Sequence, residues 1–306
     1  MIHILLATYN SHDFLREQLD SLLNQDHRDF RILIRDGGSA DDTLEIIGEY
    51  REKYPEKIRF LGSGRASVAE NFSLLLENSD AELVMFCDHD DVWLPHKISH
   101  TLRKYREMEA CCGPQTPILV FTDSCVADRK LKVIAPSMLR YQHLDAVHLS
   151  LARLISQNVP SGNTLLVNRA LVDLAAPIPP EAVMHDHWFA LVAAGLGRIG
   201  FLDEPTLYYR QHEGNVYGAF RYSLAAFLKK LTGGRGELRR RFMLNIDQAA
   251  AFGRRYADRL SAGDRAMCGE LAMWPRLGFW ARRRVLWKYR IFKSGLLRTV
   301  GTFLFV

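Results

Sequence analysis

The feature that most constrains the fold is an alternation of apolar strands and amphipathic helices in the first third of the chain. Residues 2–7, 30–35, 58–61 and 82–87 are short apolar runs, and stretches with helical spacing follow the first three of them. The fourth run is apolar after its first residue, which is typical of a parallel strand buried on both faces. The alternation predicts a doubly wound α/β sheet covered by helices.

The pattern changes after this repeat. Strands are predicted at residues 118–122, 164–167 and 198–202, and a helix is predicted at residues 182–194. After about residue 220 the sequence predicts helices alone, because apolar residues recur on one helical face from Leu238 to Leu260. We therefore predict an α/β body over residues 1–217 and a helical region over residues 218–306.

Charge is unevenly distributed along the 306 residues. The formal net charge is only +5, but residues 221–306 contain 19 basic and 5 acidic side chains, so an acidic body precedes a basic tail. This mild net charge and the absence of a nucleic-acid-binding motif argue against a nucleic-acid partner. Five cysteines without zinc-ligand spacing fit a reduced, intracellular compartment, and no apolar run is long enough to predict a membrane span.

Three carboxylates, Asp88, Asp90 and Asp91, follow the apolar run 82–87 directly. Ligands of open α/β sheets bind at the carboxyl ends of the strands, so this cluster is expected at a binding edge. Asp88 and Asp90 have the spacing to share a hard divalent cation such as Mg²⁺ or Mn²⁺. The alternative is a solvated cluster that caps the next helix, and this alternative applies most to Asp91.

Other candidate residues are weaker when taken singly. Asp36 ends a predicted strand and is either a hydrogen-bond acceptor for a ligand or a turn residue. Asp186, between two histidines, is either a general base or an ordinary residue of the first helical turn. Arg210 has the chemistry to neutralise a diphosphate, and His212 has the chemistry to complete a metal site.

In combination these segments resemble the family 2 glycosyltransferases of GT-A fold, a Rossmann-like nucleotide-diphospho-sugar transferase fold. The resemblance covers about residues 1–217 and rests on four segments in order: Ala7-Thr8-Tyr9-Asn10, the stretch from Asp36 to Thr43, the stretch from Asp88 to Trp93, and His185-Asp186 with Trp188. Three further stretches, residues 86–97, 161–164 and 209–216, are most similar to the bacterial rhamnosyltransferase-like branch.

The resemblance implies a role for individual positions. Thr8, Tyr9 and Asn10 would line the nucleotide pocket, Asp36 would hold the pyrimidine base, and Arg65 would approach the nucleotide. The following roles are also implied: ribose or metal contact for Asp88, metal binding for Asp90, general base for Asp186, and acceptor pocket for Trp188. The chain departs from the usual family pattern at Gly37 and His185, which bears on substrate preference.

The implied reaction is an inverting, metal-dependent transfer of a sugar, such as L-rhamnose from dTDP-rhamnose, from a dTDP or UDP donor. The acceptor would be a glycan or a lipid-linked molecule in bacterial surface polysaccharide synthesis. Two alternatives stay open. Asp88 and Asp90 also fit a haloacid-dehalogenase-like phosphatase, in which the first Asp is a nucleophile. The chain also fits a non-catalytic subunit that binds a nucleotide sugar.

The basic tail is rich in aromatic residues. Eight basic residues lie between Arg276 and Arg298, no acidic residue follows Leu271, and several Trp, Tyr and Phe side chains are interspersed. Such a composition suits an anionic membrane surface, so we predict a cytoplasmic protein held peripherally on the inner face of the membrane. The alternatives are that these aromatic residues pack on the body or form an oligomer interface.

Overall fold

The computed structural model of the chain describes residues 1–215, 218–219 and 235–305, so the predicted boundary at residues 217 and 218 falls at the edge of the described region. The strands are β1 (Ile2–Thr8), β2 (Phe30–Asp36), β3 (Ile58–Ser63), β4 (Leu83–Cys87), β5 (Val92–Trp93), β6 (Ile118–Ala127), β7 (Val133–Ala135), β8 (Leu165–Asn168) and β9 (Arg198–Arg210). The helices are α1 (Leu15–Leu23), α2 (Thr43–Lys53), α3 (Val68–Glu77), α4 (Lys97–Cys112), α5 (Met138–Tyr141), α6 (Leu151–Ser156), α7 (Arg169–Ala175), α8 (His185–Leu196), α9 (Arg235–Arg255), α10 (Ala262–Ala272), α11 (Phe279–Lys288) and α12 (Leu296–Phe305).

These strands form a single mixed sheet with the order β3-β2-β1-β4-β8-β6-β9-β5, and β7 pairs with β6. The first four strands are parallel, as the alternation predicts, whereas β8 runs antiparallel to both of its neighbours. In the parallel part Thr8 lies opposite Asp36, and Leu6 lies opposite Cys87. The segments that follow β1, β2 and β4 therefore leave the sheet at one edge.

A hydrophobic core lies on each face of the sheet. Side chains alternate along β1, so Ile4 and Leu6 join the core beneath α1, α2 and α4, while Leu5 joins the core beneath α3, α6, α7 and α8. All three side chains are fully buried. This two-sided burial explains why the first strands are continuous apolar runs, and it confirms the α/β fold class.

Two strands are longer than their sequence patterns predict. Strand β6 extends past residue 122 to Ala127, and β9 extends past residue 202 to Arg210. The two strands pair in parallel, with register shifts near Asp123. Polar residues and Pro205 interrupt the apolar pattern at this point, which hid the continuation of β9. The extension matters because it brings Arg210 to the binding edge of the sheet.

The C-terminal helices share the core of the body. Helix α9 packs against α6 and α8, and its predicted apolar face is buried, including Phe242, Ile246 and Ala249. The ring of Phe252 meets the ring of Trp188 at a centroid distance of 6.1 Å. The helical region after residue 235 is therefore built onto the body. No helix among the described residues has the length and apolar content needed to cross a bilayer.

Candidate active site

The loop after β2 is organised by the carboxylate of Asp36. This side chain is fully buried and accepts five hydrogen bonds: from the hydroxyls of Thr8, Ser39 and Ser63 at 2.5–2.9 Å, and from the backbone N–H groups of Gly38 and Ser39 at 2.8–2.9 Å. Burial raises the pKa of Asp36, but these hydrogen bonds outweigh it and hold the pKa below its ordinary value. Asp36 therefore stays ionised and holds the loop. Contact between Asp36 and the pyrimidine base of a nucleotide stays a prediction. It would require one of these hydrogen-bond donors to release the carboxylate.

The other predicted nucleotide-binding residues surround this loop. Tyr9 and Asn10 follow β1 and are exposed. Asn10 adopts a left-handed backbone (φ 44°), and its side-chain oxygen accepts a hydrogen bond from the backbone N–H of Ala40 at 2.9 Å. Arg65 is exposed, and its backbone lies against Gly38 (φ 89°), where a β-carbon would come within 3.3 Å of the Arg65 nitrogen. Tyr9, Asn10 and Arg65 thus lie around the loop that Asp36 organises.

The acidic cluster follows β4, as predicted, and connects to the segment after β9. Asp88 is partly exposed, whereas Asp90 is buried. The Oδ2 atom of Asp90 lies 2.8 Å from Nε2 of His212 and 3.3 Å from Nδ2 of Asn215. Residues 90 and 212 are thus brought together by the extension of β9. Asn215 lies in the stretch 209–216, for which the resemblance implies roles only at other positions.

Asp91 has a structural role in this cluster. It is fully buried and accepts hydrogen bonds from the Asn163 side chain and, at 3.1 Å, from the backbone N–H of Arg210. It thereby ties the acidic segment to β9 and to the 3-10 helix Gly162–Thr164. Burial, together with the charges of Asp90 and Asp88, raises the pKa of Asp91 well above its ordinary value.

The side chain of Arg210 is buried and bonds to other residues of the protein, which contradicts its predicted contact with a phosphate. The side chain is 2% exposed. Its guanidinium donates to the carbonyl oxygens of Asp90 at 2.8 Å and Arg129 at 2.7 Å, pairs with the carboxylate of Glu17, and lies 4.8 Å from the ring centroid of Phe14. Each of the three guanidinium nitrogens donates to an oxygen of the protein. Arg210 therefore positions the acidic segment and does not face a ligand.

Asp186 lies in the first turn of α8 and is partly exposed. It accepts hydrogen bonds from the backbone N–H groups of Gly162 at 3.1 Å and His187 at 2.6 Å. Burial raises the pKa of Asp186 to about 6, although these hydrogen bonds lower it in part. Its charge also contributes to raising the pKa of Asp88, behind burial and the charge of Asp90. Asp186 therefore belongs to the same acidic site.

The two histidines beside Asp186 are neutral. His185 packs against the rings of Phe72 and Phe86, and burial lowers its pKa to about 3. Burial also lowers the pKa of His187 to about 4, and its Nε2 lies 2.7 Å from the carbonyl oxygen of Leu154. Neither ring carries a positive charge that would lower the pKa of Asp186.

The prediction that Trp188 shapes an acceptor pocket is wrong. Trp188 is fully buried, its indole N–H donates to the carbonyl oxygen of Ala175 at 2.9 Å, and its ring packs between Phe252 and Tyr256. The reason is helical geometry, because residues two positions apart differ by about 200° around a helix. A side chain two residues after Asp186 therefore faces the core when Asp186 faces the site.

The electrostatics of the site fit a bound cation. Burial raises the pKa values of Asp88 and Asp91, and neighbouring carboxylates add to both shifts. Among the described residues, no hydrogen-bond donor contacts the carboxylate of Asp88, and the imidazole of His212 lies against that of Asp90. A divalent ion would relieve this repulsion: carboxylate oxygens suit Mg²⁺ and Mn²⁺, and the imidazole favours a transition metal over Mg²⁺.

Sequence reasoning missed two side chains that hold this site together. Glu17 pairs with Arg210, and Phe14 stacks on His212 at a ring-centroid distance of 4.6 Å. Both lie at the start of α1, and no local pattern distinguishes them from an ordinary helix start. Their contacts span almost 200 residues of sequence, so only the path of β9 reveals them.

Residues 3–142 match the family model for Glycosyl transferase family 2. This part of the chain is therefore a glycosyltransferase family 2 domain. The match decides against the phosphatase alternative, because it covers the β-α units, the Asp36 loop and the acidic segment together.

Two curated relatives each share 27% sequence identity with this chain. One is the dTDP-rhamnosyl transferase RfbG of Shigella flexneri, aligned over 80% of this chain and 84% of its own length. Another is an uncharacterized glycosyltransferase of Nostoc sp., aligned over 70% of this chain and 66% of its own length. The chain therefore spans about two thirds of the Nostoc relative.

Solved structures share the fold of this chain. The Staphylococcus aureus TarS fragment 1–349 in complex with UDP-GlcNAc aligns over 95% of this chain and 82% of its own length, with a TM-score of 0.55 and 18% identity. The mannosyltransferase PcManGT of Pyrobaculum calidifontis, in complex with GDP-Man and Mn²⁺, aligns over 95% and 84% with a TM-score of 0.51 and 18% identity. The GT-A fold is thus present.

Proposed function

We propose that this family 2 glycosyltransferase moves a sugar from a nucleotide-diphosphate donor to an acceptor hydroxyl with inversion at the anomeric carbon. The observation that supports this most strongly is the position of Asp186. A partly exposed carboxylate with a pKa of about 6 lies beside Asp88 at the edge of the sheet where ligands bind. A base of this pKa accepts a proton effectively near neutral pH.

In this reaction Asp186 removes the proton of the acceptor hydroxyl. The hydroxyl oxygen forms a bond to the anomeric carbon while the bond from that carbon to the donor phosphate breaks, and the nucleoside diphosphate leaves with the electron pair. A single displacement from the opposite face inverts the configuration. The N–H groups of Gly162 and His187 hold the carboxylate in place during the transfer.

Asp88, Asp90 and His212 are the residues that would hold Mg²⁺ or Mn²⁺. When bound, the ion supplies positive charge that stabilises the developing negative charge of the leaving diphosphate. Thr8, Tyr9, Asn10 and Arg65 surround the expected place of the nucleoside. Asp36 keeps their loops together, and we keep its contact with the base as part of the proposal.

For the donor we propose a dTDP- or UDP-sugar, with L-rhamnose as the first sugar to test. The similarity to a dTDP-rhamnosyl transferase over 84% of that protein supports this choice. Solved neighbours bind UDP-GlcNAc or GDP-Man, so the fold itself accommodates different nucleotide sugars. The proposed acceptor is a glycan or a lipid-linked molecule in bacterial surface polysaccharide synthesis.

The experiment is a panel of nucleotide sugars incubated with the protein and Mn²⁺, followed by NMR of the anomeric proton of the released or transferred sugar. We expect turnover of one pyrimidine-linked donor, with a product of inverted configuration. Retention of configuration would contradict the mechanism. Binding of a donor without hydrolysis or transfer to any acceptor would favour a non-catalytic subunit.

The C-terminal helices present a surface that supports a second part of the proposal, attachment to an anionic membrane. The side chains of Trp280 and Trp287 on α11 are 81% and 72% exposed, and Leu296 and Leu304 on α12 are 78% and 59% exposed. No acidic residue occurs from residue 271 onward, and Arg284 lies on the same helix as the two exposed tryptophans. Exposed rings beside basic side chains suit lipid headgroups, and this supports the proposed attachment to the inner face of the membrane.

Co-sedimentation with vesicles tests this surface. We expect binding to vesicles that contain phosphatidylglycerol, weaker binding at high salt, and a strong loss of binding in the double variant Trp280→Ala, Trp287→Ala. The double variant Val133→Ala, Ile134→Ala is the matched control, because both side chains are 48% exposed on β7. Equal binding of the tryptophan variant and the wild type would overturn this part of the proposal.

A further inference from the structure

A second group of metal-ligating side chains lies where α4 meets β9. His96 immediately precedes α4, His100 belongs to its first turn, and Glu204 lies in the middle of β9. Residues four positions apart at the start of a helix lie on the same face, so the two imidazoles are neighbours. None of these residues belongs to the acidic site described above.

The three side chains converge on one carboxylate oxygen. Oε1 of Glu204 lies 3.2 Å from Nε2 of His96 and 2.8 Å from Nδ1 of His100. One ligand atom from each residue lies within 4.8 Å of the others, and among the described residues this is the set that meets that criterion. In a tetrahedral zinc site with bonds of about 2 Å, ligand atoms are about 3.3 Å apart. Small side-chain rotations therefore convert this cluster into a coordination site.

The ligand types select a class of ion. Two imidazoles and one carboxylate are typical ligands of Zn²⁺ and similar transition metals, whereas Mg²⁺ prefers oxygen ligands alone. The side chains of His96, His100 and Glu204 are 35%, 31% and 31% exposed, so an ion reaches them from solvent and a water molecule has room as the fourth ligand. The acidic site around Asp90 differs from this cluster because carboxylates outnumber imidazoles there.

We propose that His96, His100 and Glu204 bind one Zn²⁺-class divalent ion that fastens the start of α4 to β9. The same two elements are already joined beneath the cluster, where Nζ of Lys97 donates to Oγ1 of Thr206 at 3.1 Å. The acidic segment is joined to α4 through the short strand β5, and β9 ends at Arg210. The ion therefore stabilises the contact between α4 and β9. The acidic segment and the end of β9, which both contribute to the candidate active site, extend from this contact.

Isothermal titration of Zn²⁺ into the chelator-treated full chain tests the proposal. We expect binding of one equivalent, and an affinity at least about 10-fold lower in His100→Gln and in Glu204→Gln, since even residues that only support metal ligands are worth 10- to 100-fold in affinity. The exposed Cys111 and Cys112 at the end of α4 are a competing source of zinc ligands. The control is therefore Cys111→Ser, Cys112→Ser, which should bind like the wild type.

A second control separates this site from the acidic one. Asp90→Asn should keep the Zn²⁺ affinity, and Zn²⁺ should raise the melting temperature of the wild type but not that of His100→Gln. The variants should melt near the wild-type temperature without metal, because the altered side chains are about one third exposed. Unchanged affinity in both His100→Gln and Glu204→Gln, or loss of binding in the cysteine variant, would overturn the proposal.

Discussion

At the scale of single residues, the surroundings of Asp36 and Asp186 shift their pKa values in opposite directions, and the two aspartates therefore differ in role. Five hydrogen bonds hold the pKa of Asp36 below its ordinary value despite burial. Burial instead raises the pKa of Asp186 to about 6, and its two backbone hydrogen bonds reverse only part of this shift. Asp36 is thus ionised and organises a loop, whereas the raised pKa of Asp186 suits its proposed role as general base.

The first prediction concerns Asp186→Asn. Removal of a general base lowers turnover by roughly 10² to 10⁴-fold, while affinity for the nucleoside diphosphate stays within about twofold, because the amide keeps the shape and a hydrogen-bond acceptor. Steady-state kinetics and calorimetry measure the two effects. The control Asp203→Asn changes an exposed aspartate on β9 and should leave turnover unchanged. Near-normal turnover of Asp186→Asn would remove this residue from the mechanism.

The second prediction is the pH dependence of turnover. Burial raises the pKa of Asp186 to about 6, so the base is protonated and inactive below that pH and ionised above it. Turnover should rise with pH through about 6 and then level off, with a fall of about tenfold for each further pH unit below. The pH profile of kcat measures this. The same acidic limb in Asp186→Asn would assign the titration to another group.

The sequence predicts which aspartates lie at the edge of the sheet, but it only partly predicts the direction in which each side chain of the site points. The positions of Asp88, Asp90 and Asp186 followed from strand ends and from the resemblance. The prediction for Trp188 is wrong because a side chain two positions after Asp186 points to the opposite side of the helix. The predicted phosphate contact of Arg210 is wrong because the side chain pairs with Glu17. Glu17 is far away in sequence, and a short motif around Arg210 carries no information about such a partner.

At the scale of elements, β9 is the connection that assembles the site. Its end places Arg210 between α1 and the acidic segment, and the segment after it brings His212 and Asn215 to Asp90. The first four strands were predictable because short apolar runs alternate with amphipathic helices. The full length of β9 was not, because polar residues and Pro205 sit at a register shift that only pairing with β6 explains.

The third prediction tests this connection through Arg210→Ala. Loss of a buried guanidinium that bonds two carbonyl oxygens and Glu17 should lower the free energy of unfolding by about 2 to 4 kcal/mol. Arg140→Ala is the control, since that residue is 74% exposed and pairs with an exposed aspartate, and it should change the free energy of unfolding by less than about 1 kcal/mol. Urea unfolding compares the two. Equal small effects would mean that Arg210 does not hold the site together.

At the scale of the whole molecule, the C-terminal helices contribute side chains to the shared hydrophobic core and also present exposed aromatic side chains to solvent. Trp274 is fully buried beside Phe242, at a ring-centroid distance of 5.3 Å, whereas Trp280 is 81% exposed. The composition of the tail predicted basic and aromatic character but not this division, because it depends on which helix face meets α6 and α8. Deletion of the whole tail would therefore remove core residues along with the proposed membrane surface.

The fourth prediction uses these two tryptophans. Trp274→Ala should lower the free energy of unfolding by about 3 to 5 kcal/mol because it leaves a cavity in the shared core. Trp280→Ala should change it by less than about 0.5 kcal/mol. Thermal or urea unfolding of the full chain measures both values. Similar effects of the two substitutions would contradict the division between a core side and an exposed side.

The central claim is that the acidic edge of the sheet binds a nucleotide sugar together with a divalent ion. The most direct measurement is calorimetric titration of UDP, dTDP and their sugars, with and without Mn²⁺, into the wild type and into Asp90→Ala. We predict binding of a uridine or thymidine compound that requires Mn²⁺ and is lost in the variant. Absence of binding for every nucleotide, or binding that neither Mn²⁺ nor Asp90→Ala changes, would contradict the account.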